Sequence, residues 1–296
     1  DINRYVGSAG IQYSYDTKFS VFSHDPDGTL VNADGVTVGN TGTKSMADQM
    51  ADGSLMSADS STFTSTRMSM LTGKTDQNAA PSSFHEIMPS ADGKKNVGKV
   101  ISDNYEVVEG SWPKNKNEVV LVLDENNSLS LTTVYELGLK SASEYHNMMN
   151  QLNSGDDVKT DTKKIDYSDV IDRTLKLLPT CDQYVKGDNG HWKYVGDDVD
   201  QINALIDSDK AINLKIVGVV KPVEDADATP LSSGVGYTRA LTNELIDRAE
   251  SSEIVTEQQA DKDHNVLNGM TFSPSDDVTK AHAEGCDIVT SVLSLG

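Results

Sequence analysis

The chain has 296 residues with 46 Asp or Glu against 25 Lys or Arg, a formal net charge of −21. Such a field repels phosphate backbones and anionic lipid head groups, which argues against a nucleic-acid-binding protein or a clamp on an anionic membrane. Hydrophobic residues make up 36%, which is low but sufficient for a folded core, and the length predicts two domains or one large one.

The first predicted element is a strand over residues 11–23, where aromatic and β-branched residues alternate with polar ones. A turn of sequence Asp25-Pro26-Asp27-Gly28 ends this strand. Residues 39–96 are rich in Ser, Thr, Gly, Asp and Met and contain little Ile, Val or Phe. We therefore expect mobile loops with weak helices there.

The strongest strand signals lie further along the chain. Residues 105–108 predict a short strand, and the apolar run 118–123 predicts a strand buried on both faces. A third strand is predicted over 214–220 and is stopped by Pro222. The segment 223–236 predicts a flexible, acidic loop.

Three helices carry recognisable capping residues at their starts. Ser141 and Glu144 form a capping-box pattern, Asp197 or Asp198 can cap a second helix, and Thr238 can cap a third. Apolar residues at helical spacing follow each cap. Helices and strands do not alternate regularly, so the sequence predicts an α+β fold with mixed or antiparallel sheets.

Two patterns resemble nucleotide-binding motifs but are incomplete. Gly73-Lys74-Thr75 resembles the end of a phosphate-binding loop, yet Met68 stands where its first glycine is needed. Gly234-x-Gly236 lacks the third glycine of a dinucleotide motif, because position 239 is Arg239. We interpret the first as an ordinary loop and the second as a turn before a helix.

Metal-binding patterns are incomplete as well. His85-Glu86 begins a zinc-protease pattern, but Pro89 replaces the second histidine and would break the helix. The pairs Asp25/Asp27 and Asp225/Asp227 each supply only two carboxylates of the six oxygens or so that calcium needs, so solvated turns are expected. No catalytic, cofactor-binding or metal residue is therefore assigned.

The two cysteines, Cys181 and Cys286, stand far apart in sequence and outside any Cys-x-x-Cys pair, which argues against zinc. One disulfide and two separate thiols are both compatible with this spacing. No run approaches the ~18 apolar residues of a membrane span. Because the chain begins with Asp1 rather than methionine, we expect a processed product or an excised piece.

Several segments, in this order, are similar to the large extracytoplasmic domain of MacB/FtsX-type ABC transporter permeases in their Gram-positive form. They are IQYSYDTKFSVFSHD (11–25), YEVVEGSWPKNKNEVVLVLDENNSLSLTTVYELGL (105–139), LKIVGVVKP (214–222), GVGYTRALTNELIDRAESSEIVTEQ (234–258) and NVLNGMTF (265–272). Together they cover about half of the chain, and none is diagnostic alone.

The resemblance implies a two-part fold. Residues 1–118 and 225–296 would form a membrane-proximal, porter-like mixed sheet with helices, and residues 119–224 would form an inserted, sabre-like subdomain. The domain would stand on the extracellular face of the cell membrane, between the first two of four membrane helices.

The function implied by this resemblance is non-catalytic, and no cofactor is expected. The domain would relay or gate export of peptides, antibiotics or lipid-linked substrates, driven by a separate cytoplasmic ABC ATPase. Its partners would be the rest of the permease, a second permease copy and, because an acidic surface attracts cations, a cationic peptide. The alternatives are a secreted or wall-linked adhesin and a hydrolase with an acid pair, which the many carboxylates neither exclude nor support.

Overall fold

The computed structural model describes residues 17–32, 83–144, 166–196 and 198–272, together with Tyr15, Asn147 and Gln151. The strands are β1 (Phe19–His24), β2 (Leu30–Asn32), β3 (Phe84–Glu86), β4 (Tyr105–Gly110), β5 (Glu118–Val122), β6 (Thr174–Pro179), β7 (Tyr184–Lys186), β8 (Trp192–Tyr194), β9 (Ile212–Pro222) and β10 (Gly234–Tyr237). The helices are α1 (Lys99–Asn104), α2 (Leu131–Glu136), α3 (Tyr167–Val170), α4 (Val199–Ile206), α5 (Arg239–Ser251) and α6 (Glu253–Ala260).

Eight of these strands form one mixed sheet. Seven lie side by side in the order β2-β1-β6-β9-β5-β10-β3, and β4 pairs with β9. Two neighbouring pairs, β5 with β9 and β10 with β3, are parallel, and the other pairs are antiparallel. Strands β7 and β8 form a separate antiparallel hairpin. The predicted α+β class with a mixed sheet is therefore confirmed.

Strand β9 is the centre of the sheet. Along one edge it pairs in parallel with β5; along the other edge it pairs first with β6, through residues 212–215, and then with β4, through residues 218–222. Leu214, Ile216 and Val220 are fully buried. In the first half of β9 the exposed Asn213 and Lys215 alternate with buried residues, whereas residues 218–220 are all buried, so the second half is the part covered on both faces.

Both faces of the sheet are covered by apolar side chains. On one face Val119 and Leu121 of β5 pack with residues of α5, including Leu241 and Leu245. On the other face Val120 of β5 and its neighbours pack with Ile101 of α1. A third cluster places α4 on β1 and β6. The prediction that 118–123 is buried on both faces is confirmed.

Several other predicted elements are confirmed with small shifts of their ends. The strand predicted over 105–108 extends to Gly110, and the strand predicted over 214–220 runs from Ile212 through Pro222. The Asp198 carboxylate accepts a hydrogen bond from the Gln201 backbone N–H at 3.1 Å and so caps α4, as predicted. Of the predicted strand 11–23, residues 19–23 lie in β1, whereas residues 11–14 and Asp16 lie outside the described residues.

Three predictions are wrong in part. The loop predicted over 223–236 contains the start of β10, a fully buried strand. The mobile loops predicted over 39–96 end in β3, which pairs with β10; residues 39–82 lie outside the described residues. Thr238 precedes α5, but its hydroxyl donates to the Asn115 carbonyl instead of capping the helix. In each case long-range pairing overrides the local pattern.

The helix predicted after Ser141 lies mostly outside the described residues. Ala142–Glu144 is helical, and the Ser141 hydroxyl accepts from the Ser143 backbone N–H at 3.2 Å. Strands from the three predicted parts, 1–118, 119–224 and 225–296, share the one sheet, so the sheet itself has no boundary at 118/119 or 224/225. Among the helices that the structure describes, none has the length and apolar character needed to cross a bilayer.

Candidate functional site

A cleft that concentrates charged and aromatic side chains opens beside the short 3₁₀ turn Thr180–Gln183. Its volume is about 360 Å³, and it lies between this turn, the β7–β8 hairpin and the junction of α5 with α6. The residues that line it are Cys181, Asp182, Tyr184, Trp192, Asp209, Lys210, Arg248, Ser251, Ser252, Glu253 and Ile254. We refer to it as the Cys181 cleft.

An ion pair forms one wall of the cleft. The Arg248 guanidinium lies 3.3 Å from the Asp182 carboxylate, and both side chains are largely shielded, at 29% and 20% exposure. Arg248 also donates to the backbone carbonyls of Lys210, at 2.6 Å, and Asp209, at 3.2 Å. Because the guanidinium fork is rigid, these bonds join α5 to the segment before β9.

Burial shifts the pKa values of two groups in this cleft, Asp182 and Cys181, toward their neutral forms. Burial raises the pKa of the Asp182 carboxyl, and the charges of Arg248 and Lys210 oppose this effect by lowering it. Burial and the neighbouring Asp182 raise the pKa of the Cys181 thiol to about 11. A thiol with that pKa is protonated at neutral pH and is a poor nucleophile.

Trp192, which lines the cleft, is held from behind by polar contacts that lie outside the lining. The Trp192 indole N–H donates to Glu257 at 2.9 Å, and the Lys186 ammonium pairs with the same carboxylate at 2.8 Å. Lys186 lies 5.8 Å from the Trp192 ring centre. The hydrogen bond from Lys186 and then that from Trp192 lower the pKa of Glu257. These contacts fix α6 against the hairpin.

A second, mostly apolar hollow of about 300 Å³ lies on the other side of Cys181. Its lining includes Pro179, Leu245, Ile246 and Ala249. The two hollows together place mixed charges beside an apolar surface, with a protonated thiol between them. Such an arrangement can bind a ligand or a segment of protein, but it presents no activated nucleophile.

The predicted turn at Asp25 has a structural role. The buried Asp25 carboxylate accepts backbone hydrogen bonds from Asp27 at 3.0 Å, Thr29 at 2.8 Å and Ala142 at 2.8 Å. Asp27 accepts from the hydroxyl of Ser141 and, at 3.2 Å, from that of Ser143. Asp25 is 5% exposed, so the expectation of a solvated turn is wrong for this residue.

His85 and Glu86 lie on β3 and form no zinc pair. Glu86 is paired with the Arg239 guanidinium at 2.6 Å, and the Thr242 hydroxyl donates to its other oxygen. Burial lowers the pKa of His85, against a smaller opposite effect of a backbone hydrogen bond to Ser233. The Glu86–Arg239 pair therefore ties the sheet edge to the first turn of α5.

Gly234 and Gly236 are strand residues rather than the predicted turn. A Cβ on Gly234 would stand 2.2 Å from the Ser83 carbonyl oxygen, and one on Gly236 would press on Ile87 and Val120 at 3.1 Å. The glycines let β10 lie close to its neighbours, so they serve packing and not phosphate binding.

The remaining sequence patterns lie outside the described residues or in a connecting segment. Gly73-Lys74-Thr75 and Cys286 lie outside the described residues, whereas Asp225 and Asp227 lie in the segment between β9 and β10. Within the described ranges no three His, Cys, Asp or Glu side chains are grouped so that they could hold a metal ion. Cys181 is a free thiol among these residues.

Sequence reasoning missed the Cys181 cleft, although one signal pointed toward it. Leu241, Leu245 and Arg248 follow helical spacing, so a charged residue shares the apolar face of α5. A charge in that position needs a partner, and the partner is Asp182, 66 residues away. The pairing itself is set by the fold.

Comparison of the chain with protein-family models, with curated proteins and with solved structures gives no match.

Proposed function

We propose that this chain is the non-catalytic extracellular domain of a MacB/FtsX-type ABC transporter permease, which relays or gates ATP-driven export. One observation carries the proposal: the segments that resemble this family pack side by side. Segment 105–139 supplies β4, β5 and α2; segment 214–222 supplies most of β9; and segment 234–258 supplies β10, α5 and part of α6. In the sheet these strands are neighbours, in the order β4-β9-β5-β10.

Neighbouring strands of one core constrain each other's residues, because each strand packs against the others. A family resemblance is therefore expected to extend over all of them. Segments scattered over unrelated parts of the surface would not support the resemblance in this way. The finer division into a porter-like part and an inserted, sabre-like part belongs to the same proposal, with one sheet that draws strands from both parts.

The chemistry of the Cys181 cleft agrees with a non-catalytic role. Its thiol is protonated at neutral pH, since its pKa is raised to about 11, and its guanidinium is engaged by Asp182. ATP hydrolysis is assigned to a separate cytoplasmic ABC ATPase. A close-packed sheet transmits a displacement without deforming, which suits a relay.

The partners proposed are the membrane part of the same permease with its four helices, a second permease copy, and a cationic peptide. The peptide follows from the charge of −21, because an acidic surface raises the local concentration of cations. Binding of a polylysine peptide should weaken as salt rises, while a polyglutamate peptide of equal length should not bind. Salt-independent binding of the anionic peptide would contradict this part of the proposal.

The experiment that tests the function uses the full permease and its ATPase in proteoliposomes. Replacing residues 1–296 by a short linker should abolish substrate export while the ATPase still hydrolyses ATP. The point variant Lys99→Ala, in an exposed ion pair, is the matched control and should transport normally. Undiminished export without the domain would overturn the proposal.

A further inference from the structure

The segment 263–272 follows α6 and forms a small closed loop, which we refer to as the apolar loop. Its ends meet in an antiparallel bridge between His264 and Thr271. The Trp192 backbone N–H of β8 donates to the Val266 carbonyl at 3.0 Å. A Cβ on Gly269 would stand 2.7 Å from the His191 ring, so this residue lies directly against the hairpin. The loop is therefore fixed to the body of the protein.

Backbone donors of the apolar loop are satisfied within the protein. The amide of Asn265 donates to the Met270 carbonyl at 2.8 Å, and that of Gly269 to the Asn265 carbonyl at 2.7 Å. Side chains accept others: Gln258 from Val266 at 3.1 Å, Asn265 from Leu267 at 2.8 Å and Asn268 from Met270 at 2.9 Å. Little is lost when such a backbone leaves water.

Three apolar side chains of the loop, in contrast to its paired backbone amides, are exposed to solvent. Leu267 is 43% exposed, Met270 67% and Phe272 60%. These are three of the five large hydrophobic side chains that are exposed among the described residues. Residues 265–272 contain no charged side chain, in a chain where 24% of residues are charged. Three exposed apolar side chains within residues 267–272 of a fixed loop make this loop a candidate interaction site.

The size of the surface decides between a protein partner and a lipid surface. Three partly exposed side chains offer at most about 400 Å², whereas a stable protein complex buries about 800 Å² on each partner. The loop also has no Trp, Tyr or Arg, the residues that dominate protein hot spots. Insertion into the hydrocarbon of a bilayer requires neither shape complementarity nor free hydrogen-bond donors. It does require that the polar groups of the inserted backbone are already paired.

Charge selects the kind of lipid. Residues 265–272 carry no charge and so match a neutral head-group region. Of the charged side chains just before them, Asp261 and Asp263 are acidic and Lys262 is basic, and the net charge of −21 opposes an anionic surface. We propose that the apolar loop inserts Leu267, Met270 and Phe272 into a neutral, zwitterionic bilayer surface. This inference goes beyond the transporter function and does not depend on it, because vesicle binding tests the loop alone.

The test is flotation of the 296-residue protein with phosphatidylcholine vesicles. The double variant Met270→Ser/Phe272→Ser should lower the partition coefficient about tenfold or more, since two apolar side chains no longer enter the bilayer. The control Val107→Ser changes an exposed apolar residue on β4 and should bind as the unchanged protein does. Adding anionic phosphatidylglycerol should weaken binding.

Fluorescence quenching by brominated lipid tests the same proposal if the double variant folds poorly. In the Met270→Trp variant, brominated phosphatidylcholine should quench the fluorescence of the introduced indole strongly, and Val107→Trp should be quenched little. The proposal is overturned if the unchanged protein does not float with neutral vesicles, if the serine variant floats equally well, or if bromolipid leaves the Met270→Trp variant unquenched. A protein partner lost in the serine variant, without vesicle binding, would also overturn it.

Discussion

Two regions of the protein differ in how they place their apolar side chains: the central sheet, and a lobe made by the β7–β8 hairpin, α6 and the apolar loop. In the sheet, apolar side chains are covered on both faces, and Leu214, Ile216 and Val220 are fully buried. In the lobe, hydrogen bonds from side chains such as Gln258 hold the backbone, while Leu267, Met270 and Phe272 are exposed. Hydrophobic burial therefore stabilises the sheet, and polar contacts shape a surface available for binding.

The largest effect is expected at the centre of the sheet. Leu214→Ala removes a fully buried side chain and leaves a cavity, so the free energy of unfolding should fall by about 2–5 kcal/mol. Met270→Ala, in the lobe, should change it by about 0.5 kcal/mol or less. Urea unfolding followed by circular dichroism measures both. Equal losses would remove the distinction between the two regions.

The next test concerns the edge of the sheet. Arg239→Ala leaves the Glu86 carboxylate, whose side chain is 10% exposed, without its ionic partner, which should cost about 3 kcal/mol of stability. Lys99→Ala, which removes one partner of the exposed Lys99–Asp103 pair, should cost about 1 kcal/mol or less. If both variants unfold at the same urea concentration, the Arg239 contact is no more than a surface pair.

A smaller and local effect is expected in the lobe. The Gln258 amide donates to the carbonyls of Asp261, at 2.7 Å, and His264, at 2.8 Å. Gln258→Ala should speed amide hydrogen exchange over 264–272 by about tenfold, because each lost bond contributes about 1 kcal/mol. Gln201→Ala, at the start of α4, serves as control and should leave exchange in the loop unchanged. Faster exchange throughout the sheet would show that the two regions unfold together.

The smallest effect is a pH dependence at the Cys181 cleft. The thiol pKa is raised from 9.0 to about 11 in the folded protein, so the folded state keeps its proton where the unfolded chain has lost it. The free energy of unfolding should therefore fall as pH rises from about 9, the unfolded pKa, to about 11, because in this range the folded state binds more protons than the unfolded chain. In a Cys286→Ser background, iodoacetamide alkylation should follow a pKa near 11, and near 9 in urea. An apparent pKa below 8 would indicate an activated nucleophile.

Strands with strong local patterns could be predicted from the sequence. The apolar runs of β5 and of the second half of β9 predicted buried strands, because consecutive apolar residues there meet cover on both faces. Strand β10 was missed because Gly234 and Gly236 are not typical strand residues. The need for glycine comes from the close approach of Ser83 and Ile87, which the sequence does not reveal. Strand β3 has only three residues, too few for a period to be recognised.

The candidate site depended on contacts that no local pattern contains. Asp25 looked like a turn residue, and its carboxylate is engaged by the amide of Ala142, 117 residues away. Asp182 and Arg248 meet across 66 residues. Sequence spacing reports neighbours along one helix or strand, whereas these pairs form only when the whole sheet has closed.

The most direct test of the proposed function is the sequence of the gene on either side of the codons for residues 1–296. We expect one membrane-spanning segment before the domain and three after it, with an ABC ATPase encoded by the same or an adjacent gene. A coding region without membrane-spanning segments, or one with a wall-sorting signal or repeated binding modules, would contradict it.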